Sequence, residues 1–141
     1  MILKFFNKEE QSNNDSDLIN VACLMIHAAK IDENYTDKEK KIIKNTLIKL
    51  DNNNEDIDKV ILEAEKKESD SNHIQDFTKS IKAMNKESKI EIIKNIWSII
   101  LSDGNSDIYE ENLMRRLAGL LYIDAKAMGD IKLDIQYKQK Q

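Results

Sequence analysis

The chain has 141 residues, a mass of 16.4 kDa and a net charge of −4, with three glycines, no proline and one cysteine. That length fits one domain with a real core, and the scarcity of glycine with the absence of proline argues against a turn-rich all-β fold. One cysteine excludes an intramolecular disulfide framework and a multi-cysteine zinc site, and a pI near 5.3 disfavours a basic nucleic-acid module.

The N-terminal stretch MILKFFNKEEQ has a short apolar cluster broken by Lys4 and lacks the core of a signal peptide. No run of about 18 apolar residues is present. A cytoplasmic location without stable membrane insertion is the expectation, with residues 1–17 as a partly flexible lead-in. Residues 18–31, LINVACLMIHAAKI, are apolar on nearly every side, as in a helix buried all round. Asn14, Asp15 or Ser16 is positioned to cap its start. Ile42, Ile43, Leu47 and Leu50 recur at helical spacing over about 37–50. DNNNED then reads as a loop, and Ile57, Val60, Ile61 and Ala64 form the stripe of a helix over 56–67. Residues 73–85 put Ile74, Phe77, Ile81 and Met84 on one face. A second helix buried all round spans about 87–102, begun by Asn85 or Ser88. DGNS breaks it, a helix over 108–121 follows, and Asp124 caps a last helix through Ile135. Residues 136–141 read as a frayed tail. The expectation is an all-α bundle of about seven helices, with residues 18–135 as the domain.

The two halves match at an offset of 71 residues. Val21 falls on Ile92, Met25 on Ile96, Ile26 on Trp97, Asp32 on Asp103, Glu39 on Glu110 and Leu50 on Leu121. Two helical units around two central buried helices, packed pseudo-symmetrically over one core, explain the match. Charge is divided unevenly. Residues 1–70 hold 16 acidic and 11 basic residues, and residues 71–141 hold 10 and 11. The excess is concentrated in 51–70, which reads as a solvated face, with a cation- or partner-binding face as the alternative.

The loops after the buried helices share the pattern D-x-N-x-[TD]-x-x-E: Asp32, Asn34, Thr36 and Glu39 in the first, Asp103, Asn105, Asp107 and Glu110 in the second. Clustered oxygen donors suit hard cations. An EF-hand is excluded, because the positions for its glycine and its bidentate glutamate hold other residues. Thr36 or Asp107 followed three residues later by Glu is also a capping box. Capping accounts less well for Asp32 and Asp103, since a helix C-terminus disfavours negative charge. Both readings stand on the residues alone. The ligand candidates are Asp32, Glu39, Asp103, Asp107 and Glu110, for a divalent cation such as Ca²⁺, Mg²⁺ or Mn²⁺, with Asn34 and Asn105 as lesser carbonyl donors.

The segments IDENYTDKEKKII and IWSIILSDGNSDIYEENLMRRLAGLL, with His27-Ala28-Ala29 ahead of the first, resemble the tellurite-resistance TerB family over roughly residues 18–135. The second repeat fits the family pattern at Asp103, Gly104, Asp107 and Glu110; the first departs from it with Glu33 in place of Gly. The resemblance implies an all-α fold of about seven helices, a stress-response role among partner proteins of such a system, and cation binding by the acidic residues. The competing reading is a metal-free protein-interaction adaptor whose acids cap helices.

Other chemistry is sparse. No nucleophile elbow, P-loop or dinucleotide fingerprint is present, so no enzymatic activity is expected. Cys23 is expected to be an inert core thiol, and Trp97 a core anchor. A carboxylate contact from far along the chain is not the expectation for His27 or His73. Arg115 and Arg116, with Lys126, Lys132, Lys138 and Lys140, read as a solvated basic face and not as a nucleic-acid site.

Overall fold

The computed structural model describes residues 11–31, 35–51, 56–103 and 106–139, the side chains of 11–16 and 103 excepted. Its helices are α1 (Gln11–Lys30), α2 (Asp37–Leu50), α3 (Ile57–Asp70), α4 (Gln75–Lys82), α5 (Lys86–Ile100), α6 (Ile108–Leu120) and α7 (Ala125–Gln139), and a 3₁₀ turn (Leu101–Asp103) follows α5. No strand occurs among the described residues. The chain is an all-α bundle, as its periodicity predicts.

Several bounds differ from the expectation, among them the end of α3, which runs to Asp70 and not to 67. α1 begins seven residues before Leu18, because QSNNDSD contains neither proline nor glycine to stop a helix that the buried stretch nucleates. α7 continues through Gln139, past Ile135, for the same reason. α4 is shorter than 73–85: the Met84 N–H turns back to the Ile81 carbonyl at 3.0 Å and tightens its end.

α1 is the hub. Leu18, Val21, Ala22, Cys23, Leu24, Met25 and Ile26 are fully buried on it, and it touches α2, α3, α4 and α5. α5 is the second buried helix, with Ile92, Ile93, Ile96 and Trp97 in the core and contacts to α1, α2 and α7. Each such aliphatic side chain contributes roughly 1.5–3 kcal/mol. A buried polar residue bridges three helices. Asn20 donates through Nδ2 to Ser80 Oγ at 3.0 Å and accepts from Lys67 Nζ, tying α1 to α3 and α4.

The internal repeat extends further than the two helix pairs that reveal it in sequence. α1, α2 and α3 correspond to α5, α6 and α7, and α4 lies between the two sets. In the third pair Ile57, Val60 and Ala64 of α3 fall on Met128, Ile131 and Ile135 of α7, and all six are buried. Register in the core is therefore kept through all three helices of each repeat. No helix among the described residues is long and apolar enough to cross a membrane.

Candidate functional site

The loops ahead of α2 and α6 are built alike. Thr36 is the N-cap of α2: its Oγ1 accepts from the Glu39 N–H at 3.2 Å, and Glu39 Oε1 accepts from the Thr36 N–H at 2.8 Å. The Thr36 hydroxyl donates to the same oxygen at 2.9 Å. In α6 Asp107 Oδ1 accepts from the Glu110 N–H at 2.8 Å, and Glu110 Oε1 accepts from the Asp107 N–H at 3.0 Å. Both are complete capping boxes. Both glutamates are also 4 % exposed, so two equivalent N3 carboxylates are held out of water.

Lys38 Nζ donates to the Ser102 carbonyl at 3.0 Å. This bond joins the first turn of α2 to the turn that closes α5. It also puts a cation on a carbonyl at the C-terminal end of α5, where positive charge is favoured.

Of the five carboxylates expected as ligands, Glu39, Asp107 and Glu110 are seen in place, the first and last buried and Asp107 exposed. Asp32, Asn34, Gly104 and Asn105, with the side chain of Asp103, lie outside the described residues. Among the described residues no three acidic, histidine or cysteine side chains form a group able to hold a metal ion.

The structure adds residues that sequence spacing does not bring to this end of the molecule. Glu68, from the acidic run expected to be a solvated face, has a side chain only 9 % exposed. Lys30 Nζ meets its Oε2 at 2.7 Å, and His27 Nδ1 lies 3.4 Å from its Oε1. His27 thus does meet a distant carboxylate, because α1 and α3 pack along one another and bring their C-terminal turns together. Glu65 pairs with Lys40 at 3.7 Å, and the same Lys40 Nζ lies 4.9 Å from the centre of the Tyr35 ring. Burial pushes the Tyr35 phenol above its ordinary range, and the charges of Glu65, Glu39 and Glu68 add to the effect. Half-buried Tyr35 therefore stands in a field of three carboxylates partly offset by lysines. Cys23, by contrast, is packed in the core with its thiol against the Ala64 carbonyl; burial pushes it up to about 11.

A helical module made of two three-helix repeats, each carrying a capped acidic loop with a buried glutamate, is the class that fold and site define. The family model described as tellurite resistance protein TerB matches residues 18–133, and the chain belongs to that family. No curated protein and no solved structure matches the chain.

Proposed function

We propose that this TerB-family chain serves a stress response of the tellurite-resistance type as a small module that takes up a divalent cation through the loops ahead of α2 and α6. The observation that best supports this reading is the burial of Glu39 and Glu110 at the same register of both repeats. Capping needs one carboxylate oxygen and works at an exposed helix start. Two buried carboxylates at one register place oxygen donors and negative charge where a hard cation would be favoured. The donor chemistry fits a hard, oxygen-preferring ion. Glu39, Asp107 and Glu110 would hold it together with Asp32 and Asp103, and the ion would supply positive charge that links the loops to the helices. Other proteins of the response are then its partners, and no catalytic step is assigned to it.

A metal-free adaptor is the second reading, and specific contacts favour it. Both capping boxes are complete without an ion, and the flanking acids Glu65 and Glu68 already have lysine partners. Calorimetric titration of EDTA-treated protein with Ca²⁺, Mg²⁺ and Mn²⁺ separates the two. The cation reading predicts saturable heat with at least one ion, weakened in Glu39→Gln and in Glu110→Gln. Glutamine still completes a capping box, so these variants keep the helix starts. Absence of heat with all three ions leaves the adaptor.

A further inference from the structure

The second repeat carries a cleft between its last two helices. Between α6 and α7 lies a cleft of about 500 Å³, floored by Trp97, Met114 and Met128 and walled by Ala118, Gly119 and Gly129. That volume falls within the range of small-molecule sites, roughly 300–1,000 Å³. The repeat offset explains why the cleft exists. Ala118 stands where α2 has the fully buried Leu47, and Gly129 stands where α3 has Asp58. A Cβ added at Gly119 or Gly129 would meet nothing within 4 Å.

The same offset shows which charge is left over. In the first repeat Lys44 Nζ meets Asp58 Oδ1 at 3.0 Å across the α2–α3 seam. Arg115 occupies the Lys44 position, but its counterpart is Gly129, and Arg115 makes no ion pair among the described residues. It has one long contact, donating to Asn112 Oδ1 at 3.4 Å. Glu111, the carboxylate that lines the cleft, is already held by Lys132 and by the Ser106 hydroxyl. The lining therefore carries one net positive charge, two cations against Glu111, and Arg115 is the cation without an ion pair among the described residues. A second group on the floor also lacks a partner: the Trp97 residue is 2 % exposed and its indole N–H has no acceptor among the described residues. Lys132 Nζ lies across that ring, 5.4 Å from its centre.

We propose that the α6–α7 cleft binds a small amphipathic carboxylate, an apolar body with one acid group, whose carboxylate pairs with Arg115 in the place that Asp58 takes against Lys44. The apolar body lies over Met114, Ala118 and Met128 and moves the Lys132 stem off the indole. A guanidinium with an open fork prefers a carboxylate, which it engages through two parallel hydrogen bonds. The apolar floor selects against small hydrophilic anions.

Trp97 is the only tryptophan of the chain, so its fluorescence reports on the cleft directly. The probes are sodium decanoate and the uncharged decanol, titrated into wild type, Arg115→Gln and Gly129→Asp. The expected result is a saturable change in Trp97 emission with decanoate. Its affinity falls about tenfold or more in Arg115→Gln, to the level of decanol, and binding is lost in Gly129→Asp, where an internal carboxylate competes. Wild-type emission unmoved by decanoate overturns the proposal. So does a decanoate affinity equal to that of decanol and unchanged in Arg115→Gln. An acidic amphipathic peptide is the control occupant: a response to it without one to decanoate overturns the small-molecule assignment and makes the cleft a protein-docking groove.

Discussion

In the first repeat Leu47 is fully buried on α2, and Lys44 meets Asp58 on α3. In the second, Ala118 and Gly129 stand at those registers, Arg115 makes no ion pair among the described residues, and a cleft opens between α6 and α7. The ion pairs differ in polarity as well. The α2–α3 pair takes its cation from Lys40 of α2, whereas the α6–α7 pair takes its anion from Glu111, the residue at the same register. What the repeats share is the buried stripe of all three helices and the capped start of the second. The apolar stripe fixes the backbone frame, and the charged seams are left free to diverge.

Substitutions that exchange the repeats' residues sharpen this contrast. The largest effect is expected for Leu47→Ala, which gives the first repeat the residue found in the second. Loss of a fully buried leucine costs about 2–5 kcal/mol, read as a lower urea midpoint. The capped loops come next. Thr36→Ala and Asp107→Ala should each cost about 0.5–2 kcal/mol, and similar losses in thermal unfolding would show the α2 and α6 caps to be equivalent. A loss confined to one cap would break the equivalence. Gly129→Asp should act in the opposite direction. It removes a mid-helix glycine, worth only about 0.3 kcal/mol because Asp is itself a poor helix former, and supplies Arg115 with the carboxylate its counterpart has, for a gain of about 0.2–1 kcal/mol at an exposed pair. A higher urea midpoint for this variant is the expected reading.

The smallest effect concerns pH. Burial alone would raise the Glu111 carboxyl, but hydrogen bonds from Lys132 and Ser106 and the charges of Lys132 and Arg115 outweigh it and hold the group below its ordinary range. A depressed carboxyl binds fewer protons folded than unfolded. Its stabilisation is therefore present at neutral pH and is lost as pH falls through the folded value. Urea midpoints of wild type and Glu111→Gln should differ at neutral pH and converge on the acid side. A constant difference would mean that the pair does not titrate as described.

Most of the fold is legible in the sequence because its two buried helices are apolar all round and its caps are local. Thr36 with Glu39, Asp107 with Glu110, Asn85 and Asp124 each act within three residues, and all four cap as their spacing predicts. The third helix pair is harder to see, since Ile57, Val60 and Ala64 differ in residue type from Met128, Ile131 and Ile135 at each matched register, and burial relates them. Contacts across helices are not written in local spacing. Glu68 sits in an acidic run that composition reads as solvated, yet Lys30 and His27 cover it from a helix about 40 residues away. Arg115 reads as part of a basic face until the fold sets it on the rim of a cleft. The cleft itself arises from two small residues, Ala118 and Gly129, whose meaning emerges only against their counterparts.

Thermal unfolding in EDTA, and then with Ca²⁺, Mg²⁺ or Mn²⁺ at about 100 times the dissociation constant, tests the cation reading most directly. A native-state ligand at that excess adds about 2.7 kcal/mol, on the order of 5–15 °C in Tm for a chain of this size. The account predicts such a rise with at least one ion and its reduction in Asp103→Asn and in Glu110→Gln. An unchanged Tm with every ion, or a rise that both variants retain in full, would contradict it.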